Sequence, residues 1–194
     1  MIGDVLLLLR DQLNSYLRSA LPGGDVDAAE ERVQLIDGEK TDPVEFHANA
    51  ITLLLVNIQQ ETSLRTTDPY LRSPPDGSLR KLQPEIPLNL YVLFVARYKA
   101  YEQGLNQLAM VIRFFQTHRA LDHDNTPTLS PLIDKLLLEM VTLPLTEQNE
   151  IWSALRTNYH PSVLFRVRMV VLRDAEGAAV PQIGQTVVRT LQRT

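Results

Sequence analysis

His118, Asp122, His123 and Asp124 place two imidazoles and two carboxylates in one short stretch, a donor set that suits zinc or manganese. They lack the His-x-x-x-His spacing of a helical metal site, and a solvated loop after a helix accounts for the same residues. Thr41, Asp42, Glu45 and His47 offer a second group, with acid and base close together. Pro43 and the flanking charges read more simply as the entry to a strand. Asp37-Gly38-Glu39-Lys40 contains a glycine and a lysine but not the two-glycine spacing of a phosphate-cradling loop, and no clear helix follows it. Neither a Gly-x-Ser-x-Gly elbow nor a glycine-rich dinucleotide fingerprint occurs. The chain has no cysteine, which excludes disulfides, thiolate metal sites and thiol redox chemistry together. The expectation is a protein that is not an enzyme and uses no metal and no cofactor.

Arginine carries more weight. Arg97, Arg166 and Arg168 fall on strand-like segments, where a guanidinium is suited to paired contacts with carboxylates across a protein interface. A solvated sheet face also explains them. The two at 166 and 168 sit in the most informative stretch of the chain, Glu139 to Leu172. A strand is expected over Leu136–Leu143, closed by Pro144. Thr146 is placed to cap a helix whose buried face is Ile151, Trp152 and Leu155, with Glu147 in its first turn. His160-Pro161 ends that helix. From Ser162, apolar Val163, Phe165, Val167, Met169 and Val171 alternate with a second face of Leu164, Arg166, Arg168, Val170 and Leu172, the pattern of a strand.

Around that unit the periodicity predicts a first helix over Ile2–Leu21, a short strand at Val33–Ile36 and a strand over His47–Ile58. The last is apolar at nearly every position from Ile51 on, so a central place with both faces covered is expected. Gln59 to Pro87 is polar, holds five prolines, and reads as one long loop of the kind that is either functional or ordered by a partner. Leu88–Tyr98 reads as a strand. The next segment places Tyr101, Leu105, Leu108, Ile112 and Phe115 on one helical face up to His118, with Gly104 inside it either as a point of close packing or as a simply tolerated cost. Leu121–Ser130 reads as a loop, with Ser130-Pro131 opening a short helical turn.

The fold expected is α+β (α/β): a central, mostly antiparallel or mixed sheet of four to five strands. It is packed by an N-terminal helix, a long middle helix and a short helix between the last two strands. It forms a single domain over residues 1–194, with a long loop at 59–87 and a C-terminal arm at 174–194. A chain with 44% hydrophobic and 22% charged residues can bury the core this requires. A net charge of −4 gives no general pull toward nucleic acid or anionic lipid. No run approaches the roughly 20 apolar residues of a membrane span, and the N-terminus lacks a basic secretory leader. Synthesis in the cytoplasm, with no direct membrane insertion, is the expectation.

Three segments carry a family resemblance: ITLLLVNIQQETSLR at 51–65, IPLNLYVLFVARYKAYEQGLNQLAMVIRFFQTH at 86–118, and VTLPLTEQNEIWSALRTNYHPSVLFRVRMVVL at 141–172. In order and spacing the chain resembles the N-terminal domain of tail terminator, or cap, proteins of phage-tail-like contractile injection systems. The most specific piece is Leu145-Thr146, Glu150, Ile151-Trp152 and Leu155 followed by Ser162 and the alternating strand. Leu55-Val56 stands where family members often have an aromatic residue. The chain ends soon after the last strand, where longer relatives add a C-terminal region; the domain itself is expected to be complete. The resemblance implies a homo-hexameric ring on the distal end of the inner tube and the last sheath layer. Its partners would be the tube protein and the sheath protein, in a particle released from the cell or retained in it. Contact residues are then sought at Arg97, Arg166 and Arg168, and in the long loop at Arg65, Tyr70 and Arg72. The alternatives are another tube- or baseplate-associated adaptor of the same particle, or a small ligand-binding or hydrolase domain.

Overall fold

The computed structural model describes residues 2–20, 31–39, 43–61, 71–72, 80–81, 87–172 and 178–179. In chain order these form α1 (Ile2–Ala20), β1 (Val33–Leu35), β2 (Ala50–Gln60), β3 (Leu71–Arg72), β4 (Arg80–Lys81), β5 (Leu88–Arg97), α2 (Tyr101–Thr117), β6 (Ala120–Asp122), β7 (Ile133–Val141), α3 (Leu145–Ala154), β8 (Ser162–Leu172) and β9 (Ala178–Ala179). The chain divides into two units, Met1–Glu61 with Ile86–Leu172, and Thr62–Glu85 with Arg173–Thr194. In the second, β3, β4 and β9 pair as a small antiparallel sheet. The long-loop and C-terminal-arm expectations fall mostly on residues outside the described ones.

The first unit is built on a six-stranded sheet in the order β1-β2-β5-β8-β7-β6, antiparallel except where β1 runs parallel to β2. One face is the main core. It buries Ile51, Leu53, Leu90, Phe94, Phe165 and Val167 from the central strands against Leu9, Leu13 and Leu17 of α1 and Val111, Phe114 and Phe115 of α2. Phe94, Phe115 and Phe165 meet edge-on or tilted at 4.7–5.8 Å between ring centroids, a geometry aromatic quadrupoles favour. Asn14 of α1 is buried here and exchanges two hydrogen bonds with the backbone of Val33. Its Nδ2 donates to the carbonyl (2.9 Å) and its Oδ1 accepts from the amide (2.9 Å). A side-chain amide thereby takes the place of a neighbouring strand at the sheet's edge.

The opposite face is covered for half its length. Leu54, Leu93, Val95 and Leu164 pack against Trp152 of α3 and against Val44 and Phe46 of the strap that joins β1 to β2. Val44 N donates to Leu155 O at 3.4 Å, tying strap to helix.

Several sequence expectations need correcting. The sheet has six strands rather than four to five, because Ala120–Asp122, at the start of the loop expected over Leu121–Ser130, pairs with Lys135–Leu137. β2 is not covered on both faces throughout. Its edge pairing with β1 reaches only Ile51–Leu53, and after a bulge between Leu55 and Asn57 the strand runs out exposed from Asn57 to Gln60. The expected stripe on α2 is rotated: Gly104, Gln107, Leu108, Val111, Phe114 and Phe115 face the sheet, while Tyr101 and Leu105 are exposed. The aromatic pair at 114–115 decides which side is buried, since it carries more apolar area than Tyr101 and Leu105 at the fraying end. Thr146 is not the cap of α3; Pro144 is the N-cap, with no side-chain hydrogen bond. Ser130-Pro131 opens a single turn, with Ile133 N donating to Ser130 O at 2.9 Å.

Candidate assembly surface

The uncovered half of the second sheet face is polar, and strand register builds it. Asn89 and Tyr91 occupy adjacent positions on one face of β5. They pair with Arg168 and Arg166 of β8 on one side and with Gln59 and Asn57 of β2 on the other. Arg166 in turn faces Glu139 of β7. Strand alternation thus puts two arginines, three amides, a phenol and a carboxylate on one surface.

The charges on this surface answer one another. Arg166 Nη2 donates to Glu139 Oε2, a pair half open to solvent. That hydrogen bond holds the Glu139 carboxyl below its ordinary range against an opposing desolvation, and keeps the guanidinium correspondingly more basic. Glu61, at the end of β2, is only 7% exposed. It lies 3.4 Å from Arg168 Nε and accepts from Asn89 Nδ2 at 3.1 Å. Tyr91 Oη donates to Gln59 Oε1 at 3.0 Å. Not all capacity is used. Among the described residues, Asn89 Oδ1, Arg166 Nε and Arg168 Nε are buried polar atoms without a hydrogen-bond partner, and only Gln107 Oε1, elsewhere on α2, joins them.

The structure therefore brings Arg166 and Arg168 together but not Arg97. Arg97 lies six residues beyond Tyr91 along β5, about 20 Å of strand, and its Nη1 donates to Phe46 O of the strap at 2.6 Å. Beside it His160 packs its ring on Phe46 (5.5 Å between centroids) and Trp152 (6.1 Å). Burial, with Arg97 adding to it, pushes that imidazole below its ordinary range. Arg65 and Tyr70 lie outside the described residues, and of Arg72 only the β3 backbone is described. Sequence reasoning missed Glu61, Asn89 and Glu139. The signal was there for Asn89 and Tyr91, two polar positions two residues apart in an otherwise apolar strand, matching the two-residue spacing of the arginines.

The residues weighed for chemistry do local work instead. His118 stacks on Phe114 at 4.4 Å, and its Nδ1 lies 3.0 Å from Phe114 O. Asp122 Oδ1 accepts from the backbone of Asp124 and Asn125 (3.2 and 3.1 Å), closing a turn. His123 Nε2 is 2.9 Å from Ile133 O, and His47 Nε2 is 2.9 Å from Leu35 O. Among the described residues no three His, Asp or Glu side chains are grouped to hold a metal ion. Thr41 and Asp42 are outside them.

A family model, the Pvc16 N-terminal domain, matches residues 4–185. The chain belongs to the Pvc16 N-terminal domain family. Two solved structures share this domain's fold. One is a sheath/tube terminator of an extracellular contractile injection system, PVC, in its extended state. It superposes with a TM-score of 0.58 at 14% identity over 100% of this chain and 65% of that one. The other, the tube-terminating cap of the anti-feeding prophage, gives 0.56 at 15% identity over 93% of this chain and 59% of that one. The Pvc16 N-terminal domain described here thus spans less than two thirds of either protein's length. No curated protein matches the sequence.

Proposed function

We propose that this Pvc16 N-terminal domain chain is a structural tail terminator. In this reading it sits on the end of the inner tube and last sheath layer of a contractile injection particle, stops polymerisation and stabilises the end. The observation that carries the reading is the fold likeness to a sheath/tube terminator over the full length of this chain, joined to the family match over residues 4–185. The physical problem such a protein solves is edge control. A helical stack of identical subunits always offers an unsatisfied surface to the next copy, and a terminator must bind that surface without recreating it. Six copies in a ring would bind a six-fold tube end multivalently, so individually weak contacts suffice.

The polar half-face supports this use. It is close to neutral, with two arginines set against two glutamates, and it retains buried donors and an acceptor without partners. Such a surface favours a specific polar partner over non-specific binding to nucleic acid. Arg166 and Arg168, with Arg97 and the loop residues Arg65, Tyr70 and Arg72, are the contacts proposed toward tube or sheath. No described helix is long and apolar enough to cross a membrane. Synthesis in the cytoplasm before incorporation into the particle completes the proposal.

Particle lengths measured by negative-stain electron microscopy, with and without this chain, test it. Overlong tubes or unsheathed ends in its absence are the expected result. Particles of unchanged length, or a tag on the chain that labels the spiked end, would replace the terminator reading with that of a baseplate or tube adaptor.

A further inference from the structure

Between α3 and the polar half of the sheet runs an open groove of about 900 Å³. Its floor is apolar, formed by Val56, Leu143, Ile151, Leu155 and Leu164, with the Tyr91 ring beside them. Its β2 wall is Leu55, Asn57 and Gln59, in a stretch that among the described residues pairs only with β5. The charged side chains on the groove are both acidic, Glu147 and Glu150. They stand three residues apart on α3, hence on one side of the helix, both are exposed, and among the described residues neither has an ion-pair partner. An apolar floor with a one-sided acidic lip selects a segment that alternates apolar side chains with cations and carries no carboxylate.

The sequence contains such a segment. Pro181 to Thr194, PQIGQTVVRTLQRT, combines Ile183, Val187, Val188 and Leu191 with Arg189 and Arg193 and has no Asp or Glu. We infer that this groove is the docking site for the 181–194 segment of a second copy of the chain, with Arg189 and Arg193 against Glu147 and Glu150. The inference rests on the terminator reading only in taking the neighbouring copy as the source of the segment. It would give a ring of such subunits its continuity, each subunit supplying a segment to one neighbour and a groove to the other, a heterologous contact that closes by rotation.

The absence of native cysteine makes a clean test. Full-length Gln59→Cys and full-length Val188→Cys chains are mixed and treated with a thiol-specific bifunctional cross-linker. The expected product is a heterodimer of doubled mass. Its yield should fall at least about tenfold when the groove chain also carries Glu147→Gln and Glu150→Gln, while that variant's thermal midpoint stays at the parent value. A Gln103→Cys chain, with the thiol on the exposed side of α2, measures the yield from random encounter. A heterodimer yield no higher than this control overturns the inference, as does a yield indifferent to the two glutamines. So does a chain carrying both cysteines that cross-links only within itself. None of these results reads capping, which is measured separately by particle length, so failure of the groove and failure of the terminator reading remain distinguishable.

Discussion

The same sheet face is two different surfaces along its length. Under α3, Leu54, Leu93, Val95 and Leu164 are buried against Trp152, Val44 and Phe46. A few residues along the same strands, Asn89, Tyr91, Arg166 and Arg168 make a polar lattice with Gln59, Glu61 and Glu139. The first half is held by area removed from water, which is non-directional and tolerant of detail. The second is held by paired charges and amides whose desolvation cost roughly cancels their attraction. One half therefore contributes stability, while the other contributes a defined pattern of donors and acceptors and little net energy. If that division is right, mutations in the two halves should differ in size and in what rescues them.

The largest effect belongs to the apolar half. Trp152 is 4% exposed and is the residue of α3 buried in the cluster with the sheet and the strap. Trp152→Ala should cost about 3–5 kcal/mol in a urea unfolding experiment, enough to consume much of a domain's stability. A loss below about 1 kcal/mol would mean that α3 is an appendage and that the two halves do not differ as described.

Next comes Arg168, because its partner is the deeply placed Glu61. Arg168→Met should cost about 1–3 kcal/mol by removing a cation from beside that buried carboxylate. Charge reversal to Glu should cost more. The loss should be largely recovered by adding Glu61→Gln, since an amide can still accept from Asn89 and needs no cation. A double-mutant cycle from the four melting curves gives the coupling directly. If the losses simply add, the polar half is held by something other than this pair.

Arg166 and Glu139 sharpen the contrast within the polar half. Their ion pair is more open, so Glu139→Gln or Arg166→Met should cost only about 0.2–1 kcal/mol and matter less as salt rises. Their effect should instead appear in assembly, as a loss of uniform particle length with the isolated fold unchanged. Equal losses of stability at 166 and 168 would show that burial of Glu61 is not what separates them.

The apolar half was the more legible in sequence, for the same reason that it is the more stable. Burial writes itself as periodicity, and the alternation from Ser162 to Leu172 gave both the strand and its two faces. Ile151, Trp152 and Leu155 were likewise readable as the inner side of α3. Where periodicity was short or shared, legibility failed. The three-residue β6 is too brief to show a pattern, and on α2 two apolar stripes overlap, so that the choice between Leu105 and Phe114 was made by the sheet. The polar half was legible only as lone arginines. Their partners Glu61 and Glu139 lie 107 and 27 residues away from Arg168 and Arg166 respectively, and only strand order brings them together.

The smallest expected effect is a difference in pH response between the halves. His160 lies against Phe46 and Trp152 at the apolar end, where burial and Arg97 disfavour its protonated form. The unfolded chain takes up a proton near pH 6.5 while the native chain resists it, so stability is full above that pH and declines as pH falls below it. Glu139 has the opposite chemistry but the same sign at lower pH. Its native carboxyl stays ionised below 4.5, where the unfolded chain protonates, so its contribution is lost as pH falls from about 4.5 through the native value. Thermal midpoints recorded from about pH 8 to about pH 2 should thus decline in two stages. His160→Gln should remove the upper stage and leave the lower; Glu139→Gln should do the reverse. A single decline abolished by either substitution would mean that the two halves of the face titrate as one, and would end the division from which these predictions start.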